Sequence, residues 1–181
     1  MRRFSASPPV ILGICGGLQM MGSRLEDPYG VESTERTAEG LGWLRLHTVF
    51  ERDKVTRLVS ATVTQGVSVR GYEIRHGCVL PEFGRRRWFE GLERDTALSA
   101  TDVDGNLVGT TMHGLFEDDG FRAWFLADLA ERRGLDWQPS GVSFAAARER
   151  QIDTIADACE EHLDVSRLWE LAESAGALQL R

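Results

Sequence analysis

The chain has 181 residues, 42% hydrophobic and 27% charged, with 21 Lys and Arg against 28 Asp and Glu for a formal net charge of −7. That length and apolar fraction suit a compact globular chain, and an acidic balance with both signs interspersed excludes the basic stripe of a nucleic-acid binder. Five Trp and eight Phe can build a core, which excludes the disordered class, and no apolar run approaches the roughly 18 residues that cross a bilayer.

At the N-terminus, Arg2 and Arg3 ahead of VILGIC have the outline of a short secretory signal. Pro8 and Pro9 interrupt it, and the apolar run 10–14 is shorter than the roughly seven residues of a signal core. Ile14 also stands where a lipid-attachment cysteine needs a small neighbour, so no signal is expected. Cys15, Cys78 and Cys159 are odd in number and widely spaced, with no CxxC. They fit neither a disulfide framework nor a structural zinc site, and a reducing cytoplasm is expected.

Residues 9–14 (PVILGI) read as a short buried strand. Gly16 and Gly17 allow a sharp turn, and Leu18, Met21 and Leu25 have helical spacing after it. Residues 27–42 are polar and contain glycine, which predicts a loop. Residues 43–49 and 58–74 alternate as strands, with Gly66 and Gly71 as turn or bulge points. Arg85, Arg86 and Arg87 beside Trp88 read as a solvated basic turn.

Residues 96–101 and 106–112 form another strand pair joined through Asp104-Gly105-Asn106. Phe121, Phe125, Leu126 and Leu129 mark one face of a helix closed by Gly134. A second helix covers 144–163, with Ala145, Ile152, Ile155, Ala156, Cys159 and Leu163 apolar. Asp164 can cap a last helix bearing Val165, Leu168, Leu171 and Leu178. With no repeat, low-complexity tract or internal linker, residues 1–181 read as a single α/β or α+β domain.

Cys15 lies directly between the apolar strand and the glycine-opened helix, the arrangement of a nucleophile elbow. A helix N-terminus there favours thiolate over thiol, and the N–H of Gly16 faces the place of a developing oxyanion. The alternative is a buried cysteine in an ordinary strand–turn–helix crossover. A thiol nucleophile needs a base. His47 in a strand and His162 on a polar helix face read as surface residues. His113 ends the strand LVGTTM and enters HGLF, at a strand's C-terminal edge where α/β active sites form. His76, in GYEIRHG, is its rival.

GICGGLQMMG, GYEIRHG and GTTMHGLFEDDGFR, in that order, with the ending IADACEEHLDVSRLWEL, resemble the glutamine amidotransferase domain of the cobyric acid synthase family. That family belongs to the class I amidotransferases of the cobyrinate-amidating branch. The resemblance implies a Rossmann-like α/β fold, a mixed sheet flanked by helices. It implies Cys15 as the nucleophile that forms a γ-glutamyl thioester, His113 as base and acid, and Gly16 as an oxyanion donor. Gln19, Glu73 and His76 stand in segments implied to contact the substrate glutamine.

Many class I members carry Glu two residues after the histidine. Leu115 occupies that place here, so a Cys–His dyad is implied, with its orienting group unassigned. A partner domain or chain is implied to use ATP and Mg to activate carboxylates of adenosylcobyrinic acid a,c-diamide. The corrin substrate would be met through that synthetase. The chain has no GxxxxGK[ST] loop, and no metal or organic cofactor is expected in it.

Two features depart from the family pattern. Only 14 residues precede Cys15, which implies that the first strand–helix units, and a loop donating a second oxyanion N–H, are missing. Arg75 stands where the family carries His after Tyr-Glu-Ile. Two other readings therefore remain: a catalytically silent, folded interaction module, and the glutaminase subunit of a lipid II amidating complex.

Overall fold

The computed structural model describes residues 8–90 and 99–179, which form two compact units, 8–140 and 141–179. Residues 96–98 of the expected strand and the side chain of Leu178 lie outside the described residues.

The first unit opens with β1 (Ile11–Ile14) and α1 (Gly16–Met21), the expected strand–turn–helix. The helix is shorter than the apolar spacing predicts. Leu25 belongs to β2 (Arg24–Glu26), because Gly22 leaves the helical path in an extended conformation. The expected loop 27–42 contains β3 (Thr37–Glu39), antiparallel to β2. Next come β4 (Leu46–Val63) and β5 (Ser68–Pro81), one long hairpin turning at Gly66, whose φ is 84°. The Gly66 turn was legible, but the strands run further on both sides than the alternation suggested. A register shift between Phe50 and Val55 breaks the pattern there.

β6 (Phe89–Glu90), β7 (Ser99–Thr101) and β8 (Leu107–Thr110) complete the strands. One sheet has the order β1-β8-β7, with β1 parallel and β7 antiparallel to β8. The other has the order β3-β2-β4-β5, with β6 beside β4. These are mixed sheets with helices against them, an α/β arrangement. In the β7–β8 connection the Asp102 carboxylate accepts the N–H groups of Asn106 and Leu107 at 2.8 and 3.1 Å. The antiparallel pair expected through Asp104-Gly105-Asn106 forms, with Gly105 at φ 69°, while the capping carboxylate is that of Asp102, outside the predicted signal.

Two apolar clusters hold this unit. Leu18 and Met21 of α1 pack with Leu44, Leu46, Val79 and Ala100. The helix lies close on the sheet because Gly109 has no side chain: a Cβ there would collide with Leu18. The larger cluster joins Val59, Ala61 and Val63, the inward residues of β4, to Trp88, Phe89, Met112 and Leu115. It is closed by α2 (Asp119–Arg132), where the Asp118 side chain accepts the Phe121 N–H at 3.0 Å as N-cap. Phe121 and Phe125 face inward, whereas Leu126 turns outward.

In the second unit, Ser143 caps α3 (Phe144–His162) and the Asp164 carboxylate accepts the Arg167 N–H at 2.9 Å at the start of α4 (Val165–Gln179). Both helices match the sequence expectation. Among the described residues no helix is long and apolar enough to cross a membrane.

Phe121 is fully buried, its ring 5.6 to 5.9 Å from the rings of Trp88, Phe116, Trp124 and Phe125. Phe121→Ala is expected to cost about 3–5 kcal/mol, read as a lower urea midpoint. A loss below about 1 kcal/mol would mean that the cluster repacks around the space.

Candidate active site

Cys15 has φ 50° and ψ −109°, the one positive-φ residue other than glycine among the described residues. Such a conformation costs on the order of 1–3 kcal/mol and persists only where its surroundings enforce it. Here the Cys15 N–H donates to the Thr110 carbonyl at 2.8 Å and its own carbonyl accepts the Gln19 N–H at 3.1 Å. The elbow is thus pinned to β8 on one side and to α1 on the other.

The Cys15 thiol donates to the Ile74 carbonyl, 3.9 Å away. Burial pushes its pKa up. The N–H of Gly16 and the charge of Arg75 oppose that rise, while the carboxylates of Glu32 and Glu73 add to it. A standing thiolate, expected from the helix N-terminus, is therefore not the resting form. With only six residues, α1 has too few aligned peptide dipoles to outweigh desolvation.

His113 lies three residues beyond Thr110, so it and Cys15 follow the C-terminal ends of the adjacent parallel strands β8 and β1. Its N–H donates to the Tyr72 carbonyl at 2.7 Å, and the Tyr72 N–H donates to the His113 carbonyl at 3.1 Å. The two rings stack at 5.3 Å and 10°. The Nε2 atom is buried without a hydrogen-bond partner among the described residues. An unpaired buried nitrogen carries a desolvation cost that nothing among the described residues offsets. Leu115, in the place of a third, carboxylate member, is packed into the core.

Glu73 of β5 is fully buried. Its carboxylate accepts from Thr111 Oγ1 at 2.6 Å, from Arg57 Nε and Nη2 at 2.7 Å each, and from Arg75 Nε at 3.0 Å. Burial alone would raise its pKa, but the bonds from Thr111, Arg57 and Arg75 hold it below the ordinary carboxylate range. Glu73 is thus committed inside the protein and leaves no oxygen facing a ligand.

Arg75 also donates from Nη1 to the Gly77 carbonyl at 2.7 Å. Above that glycine lies the carboxamide of Gln19, a residue only 5% exposed. A Cβ on Gly77 would collide with Gln19 Nε2. The Gln19 carboxamide makes no hydrogen bond among the described residues, so its donors and acceptor remain unspent. His76 does not join this group: its Nδ1 lies 3.2 Å from the Glu51 carbonyl, in the irregular part of β4.

The β5 segment 72–77 therefore gathers His113 through Tyr72, Cys15 through Ile74 and Gln19 through Gly77. The sequence reading singled out Cys15, Gly16, Gln19, Glu73 and His113, all of which lie in or against this cluster. It did not find Arg57, Thr111, Tyr72 or Asp27. Arg57 is the direct cross-strand partner of Glu73, legible only once the hairpin register is known. Asp27 accepts the N–H groups of Val31, Glu32 and Ser33 at 2.8 to 3.0 Å and so fixes the turn carrying Glu32.

Residues 1–121 match the family described as a CobB/CobQ-like glutamine amidotransferase domain. The chain is 40% identical over 174 residues to a cobyric acid synthase of Mycolicibacterium gilvum, covering 96% of this chain and 32% of that protein. A cobyric acid synthase of Thermodesulfovibrio yellowstonii is 35% identical over 95% of this chain and 35% of its own length. One of Rhodobacter capsulatus is 42% identical over 90% and 32%. The chain thus spans about a third of the length of these relatives.

Two outcomes follow from the site's electrostatics. The alkylation rate of Cys15 by iodoacetamide should have its pH midpoint above that of a free cysteine; a midpoint at or below it contradicts the buried-thiol geometry. Glu73, held low, contributes stability that is complete above about pH 4.3 and is lost as pH falls through its depressed value. Glu73→Gln should remove that acid-limb dependence and cost about 3–5 kcal/mol by stranding buried guanidinium charge, measured by urea unfolding from pH 3 to 7.

Proposed function

Because the chain belongs to the CobB/CobQ-like glutamine amidotransferase family, we propose that it hydrolyses L-glutamine through a Cys15–His113 dyad and delivers the ammonia to an ATP-dependent synthetase. The observation that carries this reading is the pairing of a strained, half-buried thiol with a buried, unpartnered imidazole nitrogen at the ends of adjacent parallel strands.

The chemistry follows from those groups. Sγ attacks the side-chain carboxamide carbon of glutamine as its proton passes to His113 Nε2. The N–H of Gly16 stabilises the oxyanion. On collapse, the C–N bond breaks and His113 returns the proton to the leaving ammonia, leaving a γ-glutamyl thioester on Cys15. Water, deprotonated by His113, then attacks the thioester and releases glutamate and the free thiol. A thiol with a raised pKa needs such a base, since little thiolate exists without one. Gln19, with its carboxamide unspent, is a substrate contact in this reading.

The relatives named cobyric acid synthase suggest the client. Ammonia would serve ATP-dependent amidation of adenosylcobyrinic acid a,c-diamide in cobalamin biosynthesis. The ATP, Mg and corrin sites would belong to the synthetase.

Purified protein given L-glutamine should release ammonia. Cys15→Ala should abolish the release, and His113→Ala should lower it on the order of 10²–10⁴-fold. Release that survives Cys15→Ala, or none from the unmodified chain together with no trapped thioester, would favour a folded module without turnover.

A further inference from the structure

Arg75 is only partly used by the bonds that hold it. Its Nε donates to Glu73 and its Nη1 to the Gly77 carbonyl, whereas Nη2 makes no bond among the described residues. Glu73, its acidic partner, is shared with Arg57, so that carboxylate does not fully neutralise the Arg75 charge. The side chain is 11% exposed, so this cation and its free N–H groups are largely withdrawn from water. A desolvated guanidinium with unspent donors is a site for a planar oxyanion, which it binds better than an ammonium does.

The position of Arg75 narrows what that anion is. The carbonyl that accepts the Cys15 thiol belongs to Ile74, the residue before Arg75. The carbonyl holding Nη1 belongs to Gly77, which the Gln19 carboxamide covers. The free edge of the guanidinium thus lies within one short strand segment of the nucleophile and of an unspent carboxamide. The thiol feels the charge of Arg75 as well as those of Glu32 and Glu73, so the guanidinium is within electrostatic reach of the sulfur.

We propose that Arg75 binds the α-carboxylate of the substrate amino acid through its free Nη2 edge, and so selects a free amino acid over a substrate whose carboxyl is blocked. This rests on the glutaminase reading, since it assumes that the glutamine side chain reaches Cys15. Neither Glu73 nor His76 can serve in its stead: one is saturated inside the protein and the other faces Glu51.

The test compares L-glutamine with its α-amide, in which a neutral carboxamide replaces the carboxylate. Binding is measured by calorimetry on the full chain carrying Cys15→Ala, which removes turnover, and KM and kcat are measured on the chain with Cys15. Losing a charge-assisted bond weakens binding on the order of 10- to 100-fold, so glutamine should bind that much more tightly than the α-amide. Arg75→Gln should raise KM for glutamine to that of the α-amide, and Arg75→Lys should restore part of the difference.

Equal affinity for the two ligands in a chain that retains Arg75 overturns the proposal without any Arg75 variant. So does an Arg75→Gln chain that weakens both ligands alike, or one that lowers only kcat and moves the Cys15 alkylation midpoint. Carboxylate-selective binding without Cys15-dependent hydrolysis supports the proposal and overturns the glutaminase reading. Hydrolysis without carboxylate preference does the reverse, and no glutamine binding at all overturns both.

Discussion

The buried carboxylate of Glu73 is the point on which the site depends. It accepts bonds from Thr111 just after β8, from Arg57 across the hairpin and from Arg75 along its own strand. A carboxylate removed from water without such donors costs several kcal/mol, so these segments must meet in one register. The consequence reaches beyond the charge. Once β5 is fixed against Thr111, the next backbone pair is Tyr72 with His113, and the neighbouring carbonyl, that of Thr110, holds the Cys15 N–H. One carboxylate therefore sets the positions of Cys15 and His113 while bonding to neither.

The elbow is held by packing as well as by that frame. Leu18 and Met21 are buried within the first turns after Cys15, and the missing side chain of Gly109 lets α1 approach β8 closely. Fully burying two side chains of this size contributes roughly 1.5–3 kcal/mol each, enough to offset a strained φ of the size seen at Cys15. The enforced turn leaves the thiol half-buried and protonated at rest. A standing thiolate would be open to oxidation and alkylation whenever the site is empty.

Local chemistry was legible in the sequence wherever one short segment carried the whole signal. PVILGICGG gave strand, elbow and helix because apolar β-branched residues and paired glycines leave few alternatives there. Asp164 marked a helix start because a cap acts within one turn. Illegible features were those that depend on register or on distance. Leu25 kept helical spacing with α1 yet sits in β2, since periodicity cannot register that Gly22 breaks the helix. The Glu73 cluster was invisible because Arg57 and Glu73 become neighbours only through the β4–β5 pairing. The protonated state of Cys15 was missed for a related reason: a glycine-opened helix signals a dipole, but desolvation depends on what packs above it.

With Leu115 in the core two residues beyond it, the His113 ring is oriented by packing. Leu115 anchors the segment after His113 in the core, Tyr72 fixes the ring plane by stacking, and paired backbone bonds fix the main chain. Orientation thus comes from packing, which holds a ring in place but supplies no charge. The nearby carboxylate, Glu73, is spent on guanidiniums and has none to lend.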